Sequence, residues 1–194
     1  MLVTISLTAG HASLRVHVWR KLRSLGAVYL QSSVCLLPER TEVKREVRRL
    51  LDRVRTEGGT GRFLQVELSE PGEVDWLHGE FNAARDGEYG EVMERLPSLL
   101  AELASERAKG RTTYAEVEES EADLQRFRTW MGKIERRDYF AAPLGEQARA
   151  AVDAAARDLV EFEAEAMNAE APSVEAPRLR AVRSSSRRKP AQSG

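Results

Sequence analysis

Ala27-Val28-Tyr29-Leu30-Gln31-Ser32-Ser33-Val34-Cys35-Leu36-Leu37-Pro38 is the stretch that decides the fold. Two apolar runs, 27–31 and 34–37, flank the polar step Gln31-Ser32-Ser33. Short β-rich runs around a polar step read as a pair of strands. Pro38 ends the pair, because proline has no N–H to give to a ladder. Upstream, Val3-Thr4-Ile5-Ser6-Leu7 alternates apolar and polar, the mark of a half-buried strand. In between, Leu14, Val18, Leu22 and Leu25 recur at helical spacing, with Ser13 placed to cap the helix and Gly26 to stop it. Downstream, Val43, Val47, Leu50, Leu51 and Val54 form a second helical stripe behind Thr41 as N-cap, closed by Gly58-Gly59. Phe63-Leu64-Gln65-Val66-Glu67-Leu68-Ser69 then reads as a last strand with Leu64, Val66 and Leu68 pointing one way. The order β-α-β-β-α-β predicts an α+β fold with a ferredoxin-like sheet over residues 1–70, both helices on one face.

After Pro71-Gly72 the periodicity is helical throughout. Leu96, Leu99, Leu100 and Leu103 form one stripe, in which Pro97 predicts a helix start or a kink, and Lys109-Gly110 closes the segment. Leu124, Phe127, Met131 and Ile134 form a second stripe; Val152, Ala155, Leu159 and Phe162 form a third. Short connections predict an antiparallel helical extension over 71–170, with Trp130 in the core between helices. Residues 171–194 are rich in Pro, Ser, Ala and Arg and predict a disordered basic tail.

With 194 residues and 42% hydrophobic side chains, the chain can bury a core. No run approaches the ~18 apolar residues that span a bilayer. No basic segment precedes the first apolar residues, so no secretory signal is read. The single cysteine, Cys35, excludes an internal disulfide and a Cys-rich zinc site, and sits in an apolar strand as a small buried hydrophobe. A cytoplasmic protein that needs no membrane is the expectation. The net charge of −1 conceals an asymmetry. Residues 1–62 carry 12 Lys and Arg against 5 Asp and Glu, and residues 63–170 carry 12 against 25. Residues 171–194 carry 6 basic side chains and Glu175. A basic head of this kind implies a polyanion partner, or else neutralisation against the acidic body.

Arg45, Arg48, Arg49 and Arg53 follow at i, i+3, i+4 and i+8 of the second helix and share roughly one face. Arg15, Arg20 and Arg23 add charge from the first helix, as does Lys21. Guanidinium forks suit bidentate phosphate contact, so these seven arginines are the expected contacts to a nucleic-acid backbone. The alternative is a solvated face paired with Glu42, Glu46 and Asp52, in a protein-interaction or scaffold domain. A basic surface continuous across a dimer favours the first reading; a basic helix buried against the acidic helices favours the second. No helix-turn-helix, zinc finger or RNA-recognition motif is evident. Gly58-Gly59-Thr60-Gly61 precedes a strand rather than a helix and is a turn, not a phosphate loop. His11, His17 and His78 have no chelating spacing, so neither metal nor cofactor is expected. Trp19 is expected to be partly buried beside the first apolar stripe.

The run from Leu14 to Glu39 resembles the opening of the ChrB family of bacterial chromate-resistance regulators, on Arg15, Trp19, Arg20, Leu22, Arg23, Gly26, Ala27, Leu30, Val34, Leu37 and Pro38. Phe81, Arg85, Asp86 and Tyr89, and later Trp130, Ile134, Arg137, Asp138, Tyr139 and Phe140, are similar to further motifs of its N-terminal domain. The resemblance covers residues 1 to 167. It implies a cytoplasmic, DNA-binding transcriptional regulator acting as a dimer. Longer members carry a second, C-terminal chromate-resistance domain where this chain has its basic tail, so a separate partner is expected to supply chromate sensing. The domain also resembles the dimerising module of the phenylacetate-pathway repressors and, more distantly, the Cas2-like endoribonucleases. The latter hold a metal through an acidic residue just after the first strand. Thr8-Ala9-Gly10-His11 has no carboxylate there, and no enzymatic activity is expected.

Overall fold

The computed structural model describes residues 1–8 and 10–170. Its elements are β1 (Leu2–Ser6), α1 (Ala12–Ser24), β2 (Val28–Gln31), β3 (Val34–Leu36), α2 (Thr41–Thr56) and β4 (Thr60–Leu64), followed by α3 (Pro71–Ala108), α4 (Tyr114–Glu135) and α5 (Gly145–Glu170). The expected element order is present in full. The sheet runs β2-β3-β1-β4, with every neighbouring pair antiparallel. Val3 stands opposite Cys35 on one side and Phe63 on the other. That row packs under α1 and α2, against Leu14, Val18, Leu22, Val43, Val47 and Leu50. The alternating residues Leu2, Val28 and Leu36 face the other way and meet Leu77 and Phe81 of α3 with Phe140. Period-2 side-chain alternation thus serves two cores with one sheet.

Four local expectations are corrected. Ser13 does not cap α1: the helix already begins at Ala12, and the backbone carbonyl of His11 accepts from Arg15 N at 2.9 Å. Thr41 is the first residue of α2 rather than its N-cap, which is Arg40 and makes no side-chain cap bond. The last strand is Thr60–Leu64 rather than the run from Phe63 to Ser69, and Leu64 and Val66 are exposed. The inward positions are Gly61 and Phe63. A Cβ at Gly61 would lie 2.5 Å from Leu51 Cδ2, so glycine is what lets α2 approach the strand. Of the two outcomes expected at Pro97, a helix start or a kink, the start is excluded, because α3 runs through it. The start of α3 is set by a reciprocal capping box between Glu70 and Glu73, with Pro71 in the first turn.

The helical extension buries Tyr89, Val92, Leu96, Leu99 and Leu103 of α3 against Leu124, Met131 and Ile134 of α4 and Val152, Leu159 and Phe162 of α5. Arg107, late in α3, holds Asp158 and Glu165 of α5 at 2.8 and 2.9 Å. Tyr89, earlier in α3, lies beside Gly145 at the start of α5, where an added Cβ would stand 3.2 Å from its ring. So α3 and α5 run the same way. Glu116 near the start of α4 shares a cleft with Leu103 and Phe162, so α4 opposes both. Trp130 is not core. It lies half-buried at the rim, stacked on Phe127 at 6.4 Å with the Arg95 guanidinium 5.3 Å from its ring. The disorder expected for 171–194 lies outside the described residues.

A polar joint ties the two parts together. Arg85 of α3 is 4% exposed, the one charged side chain so buried among the described residues. Glu88 neutralises it at 3.0 Å and takes Arg137 at 2.8 Å. Burial lowers the pKa of the Arg85 guanidinium, and the Glu88 charge opposes that shift. Tyr139 Oη donates to Leu25 O at 2.9 Å, and Tyr89 Oη donates to Asp138 Oδ2 at 3.1 Å. Asp138 Oδ1 accepts from Ala142 N, and Asp86 Oδ1 from Leu144 N, which folds the α4–α5 connection onto α3. Gly26 closes α1 with φ of +78°, and its Cα faces Arg85, Arg137 and Tyr139. Many of the residues that carry the family resemblance are therefore one structural joint.

Candidate nucleic-acid interface

Two pairings fix how α1 and α2 lie. Arg53 Nη1 is 3.1 Å from His17 Nε2, and Lys21 Nζ is 2.6 Å from Glu46 Oε2. As α1 advances from 17 to 21, its partner on α2 retreats from 53 to 46, so the helices are antiparallel neighbours on one sheet face. Their buried stripes point at the sheet, and the remaining arc of each is a common outer layer.

All seven predicted arginines are exposed. On a 3.6-residue turn, Arg20 lies opposite the Leu14–Val18–Leu22 stripe, and Arg45, Arg48 and Arg49 lie away from the Val43–Val47–Leu50 stripe. Arg53 sits at the seam between the helices. These five share the outer layer. Arg15 and Arg23 do not. They lie on the flank of α1 that turns away from α2, Arg15 with Nη2 3.3 Å from Leu7 O and Arg23 over the Trp19 ring at 5.2 Å. Charge counting cannot separate the two flanks of one helix.

The carboxylates are interleaved with this layer. Glu46 gathers Lys21, Arg49 at 2.8 Å and Arg45 at 4.0 Å. The hydrogen bond from Lys21 holds the Glu46 carboxyl below its usual range. Arg53 pairs with Glu57 at 2.7 Å, and Arg55 with Asp52 at 3.0 Å. Such exposed pairs are weak and exchange readily for phosphate. Arg20 and Arg48 have no ion pair or hydrogen bond among the described residues. Sequence reasoning missed the ordering role of Glu46 and His17, which shows only once the two helices are known to be adjacent. The result is a row of guanidinium forks on rigid helices, suited to successive phosphates of a polyanion.

No group of three His, Cys, Asp or Glu that could hold a metal ion occurs among the described residues, and no helix there is long and apolar enough to cross a membrane. Residues 15–173 match the family model described as Protein ChrB, N-terminal. No curated protein and no solved structure matches the chain.

Proposed function

The chain belongs to the ChrB N-terminal family, and from that premise we propose that it is a non-enzymatic, DNA-binding transcriptional regulator of a chromate-resistance system, acting in the cytoplasm as a homodimer. The observation that carries the reading is the exposure of Arg45, Arg48, Arg49 and Arg53. A scaffold that merely neutralised its basic head would bury that face against the acidic helices. Instead that face is open: its ion pairs to Glu46 of α2 and Glu57 just past the helix are those of a solvated surface as well, and they leave the guanidinium groups accessible. The sheet order and its antiparallel pairing support a ferredoxin-like reading of residues 1–70. The outer edge of β4 is unpaired among the described residues, and Leu64 and Val66 at its end are exposed, which supports pairing with a second copy. The 6 basic side chains of residues 171–194 add sequence-independent attraction.

Fluorescence anisotropy of the chain on its own upstream DNA, with salt titrated, tests the reading. Nanomolar to micromolar binding with a steep salt slope is expected. Substituting Arg45, Arg48, Arg49 and Arg53 together by Ala lowers affinity about equally for all sequences and reduces the slope by ~1 per lost phosphate contact. Unaltered binding by that variant refutes the assignment, and no binding by the unaltered chain supports the interaction-domain alternative.

A further inference from the structure

On the flank of α1 turned away from α2, a cleft of about 440 Å³ opens between α1 and the β1–β3–β2 side of the sheet. Clefts of ~300–1,000 Å³ with apolar walls and few polar groups are the usual form of small-molecule sites. Leu22 and Trp19 of α1 form one wall, and Cys35 and Tyr29 of the sheet form the other. Val16 and Trp19 of α1 line the cleft and are 46% and 45% exposed; Arg23 covers part of the Trp19 ring at 5.2 Å, and the remaining apolar surface is left for a ligand to cover. Burial pushes the Cys35 thiol and the Tyr29 phenol up to about 12, which keeps the floor uncharged at neutral pH. No Asp or Glu lines the cleft, and Arg15 is the one cation that does. Its guanidinium makes a single bond of 3.3 Å to Leu7 O and has no carboxylate partner among the described residues, so most of its donors remain available. Ser32 and Ser33 add hydroxyls to the same cleft.

We propose that this cleft binds a small amphipathic organic anion, its apolar chain or ring against Trp19, Leu22 and Tyr29 and its carboxylate on Arg15. The charge complement selects the anion, and the apolar walls exclude a bare inorganic one. One fork beside uncharged walls does not repay the dehydration of a compact ion. Arg15 thereby leaves the phosphate-contacting set.

Decanoate is the probe, with decanol and sulfate as controls, titrated calorimetrically into the full chain without DNA. Saturable binding of one decanoate per chain is expected, with decanol about tenfold weaker for want of a charge-assisted hydrogen bond, and sulfate silent. Arg15→Ala lowers decanoate affinity by about tenfold and leaves decanol unchanged. Trp19→Ala weakens both. Arg15 and Trp19 are exposed, and unchanged circular dichroism confirms that each variant folds. In a Trp76→Phe/Trp130→Phe background, decanoate shifts the emission of Trp19. Absent saturable decanoate binding, equal affinity for decanol, or undiminished decanoate binding by both variants overturns the proposal. The Arg45/Arg48/Arg49/Arg53→Ala variant binds decanoate normally, so failure of this site and failure of the DNA reading are separate results.

Discussion

Gly26 and Gly110 have the same left-handed backbone, with φ of +78° and +66°, but different surroundings. A Cβ at Gly110 meets nothing within 4 Å, whereas one at Gly26 stands 3.0 Å from Arg85 Nη1, Arg137 Cβ and Tyr139 Cε2. Gly110→Ala is expected to cost about 1 kcal/mol, the conformational penalty alone. Gly26→Ala adds crowding against a buried ion pair and is expected to cost about 2–4 kcal/mol in urea unfolding. Equal costs would show that the joint yields freely. Tyr89 reports on the same joint through pH. Burial first, and the charge of Asp138 second, raise its phenol above the ordinary 10.0. A group whose folded pKa is raised contributes stability that is fully present below its unfolded value and lost as pH climbs through the folded one. Stability of the unaltered chain is therefore expected to fall as pH rises above 10.0. Tyr89→Phe is expected to lose about 1 kcal/mol at neutral pH, with the Asp138 bond gone, and then to decline less steeply. Tyr29 and Tyr139, both raised by burial, keep the slope from vanishing. Urea midpoints at neutral and alkaline pH measure both effects; parallel curves would remove Tyr89 from the account.

At the scale of elements, α3 holds a proline where it gains nothing visible. Pro97 is exposed inside the helix and cannot donate to the preceding turn. Pro97→Ala restores that donor on the solvent side and is expected to stabilise the chain by roughly 1–3 kcal/mol in chemical denaturation. A loss of stability would mean that the helix depends on the proline's local geometry. The same helix shows what was legible beforehand. Phe81, Arg85, Tyr89, Val92, Leu96, Leu99 and Leu103 form one stripe, of which the hydropathy pattern shows Leu96, Leu99 and Leu103 and leaves the first half unread. An arginine set in the middle of such a stripe is itself the signal of a buried ion pair, which a pattern of apolar residues alone does not show. The hairpin at 28–36 was legible because each strand carries its own apolar residues. The register of β4 was not, because its decisive inward residue, Gly61, has no side chain to show in a hydropathy pattern. The arginines were legible as charge, but the division of α1 into a seam against α2 and a flank beside the cleft needed the two pairings that place the helices together.

Across the whole molecule, charge is layered: exposed arginines on the outer face of α1 and α2, and a body from residue 63 to 170 with 25 Asp and Glu against 12 Lys and Arg. That layout bears on chromate, the oxyanion of the resistance context that the family suggests. A divalent oxyanion needs converging donors in a site that excludes water. Arg85 and Arg137 converge in a buried place, but Glu88 already lies 3.0 and 2.8 Å from them, and expelling it would leave a third buried charge. The outer arginines converge on nothing enclosed, and salt screens an ion held at an open face. The cleft beside α1 offers Arg15 and apolar walls. Calorimetric titration of the chain with chromate, with sulfate as control, is therefore expected to show no saturable micromolar binding. DNA binding measured with and without chromate is expected to be the same unless a second protein supplies the sensor. Saturable binding that sulfate does not reproduce would overturn this. If Glu88→Gln then altered that binding, the joint at Arg85 and Arg137 would be the sensing site, since it is where two guanidinium groups already meet.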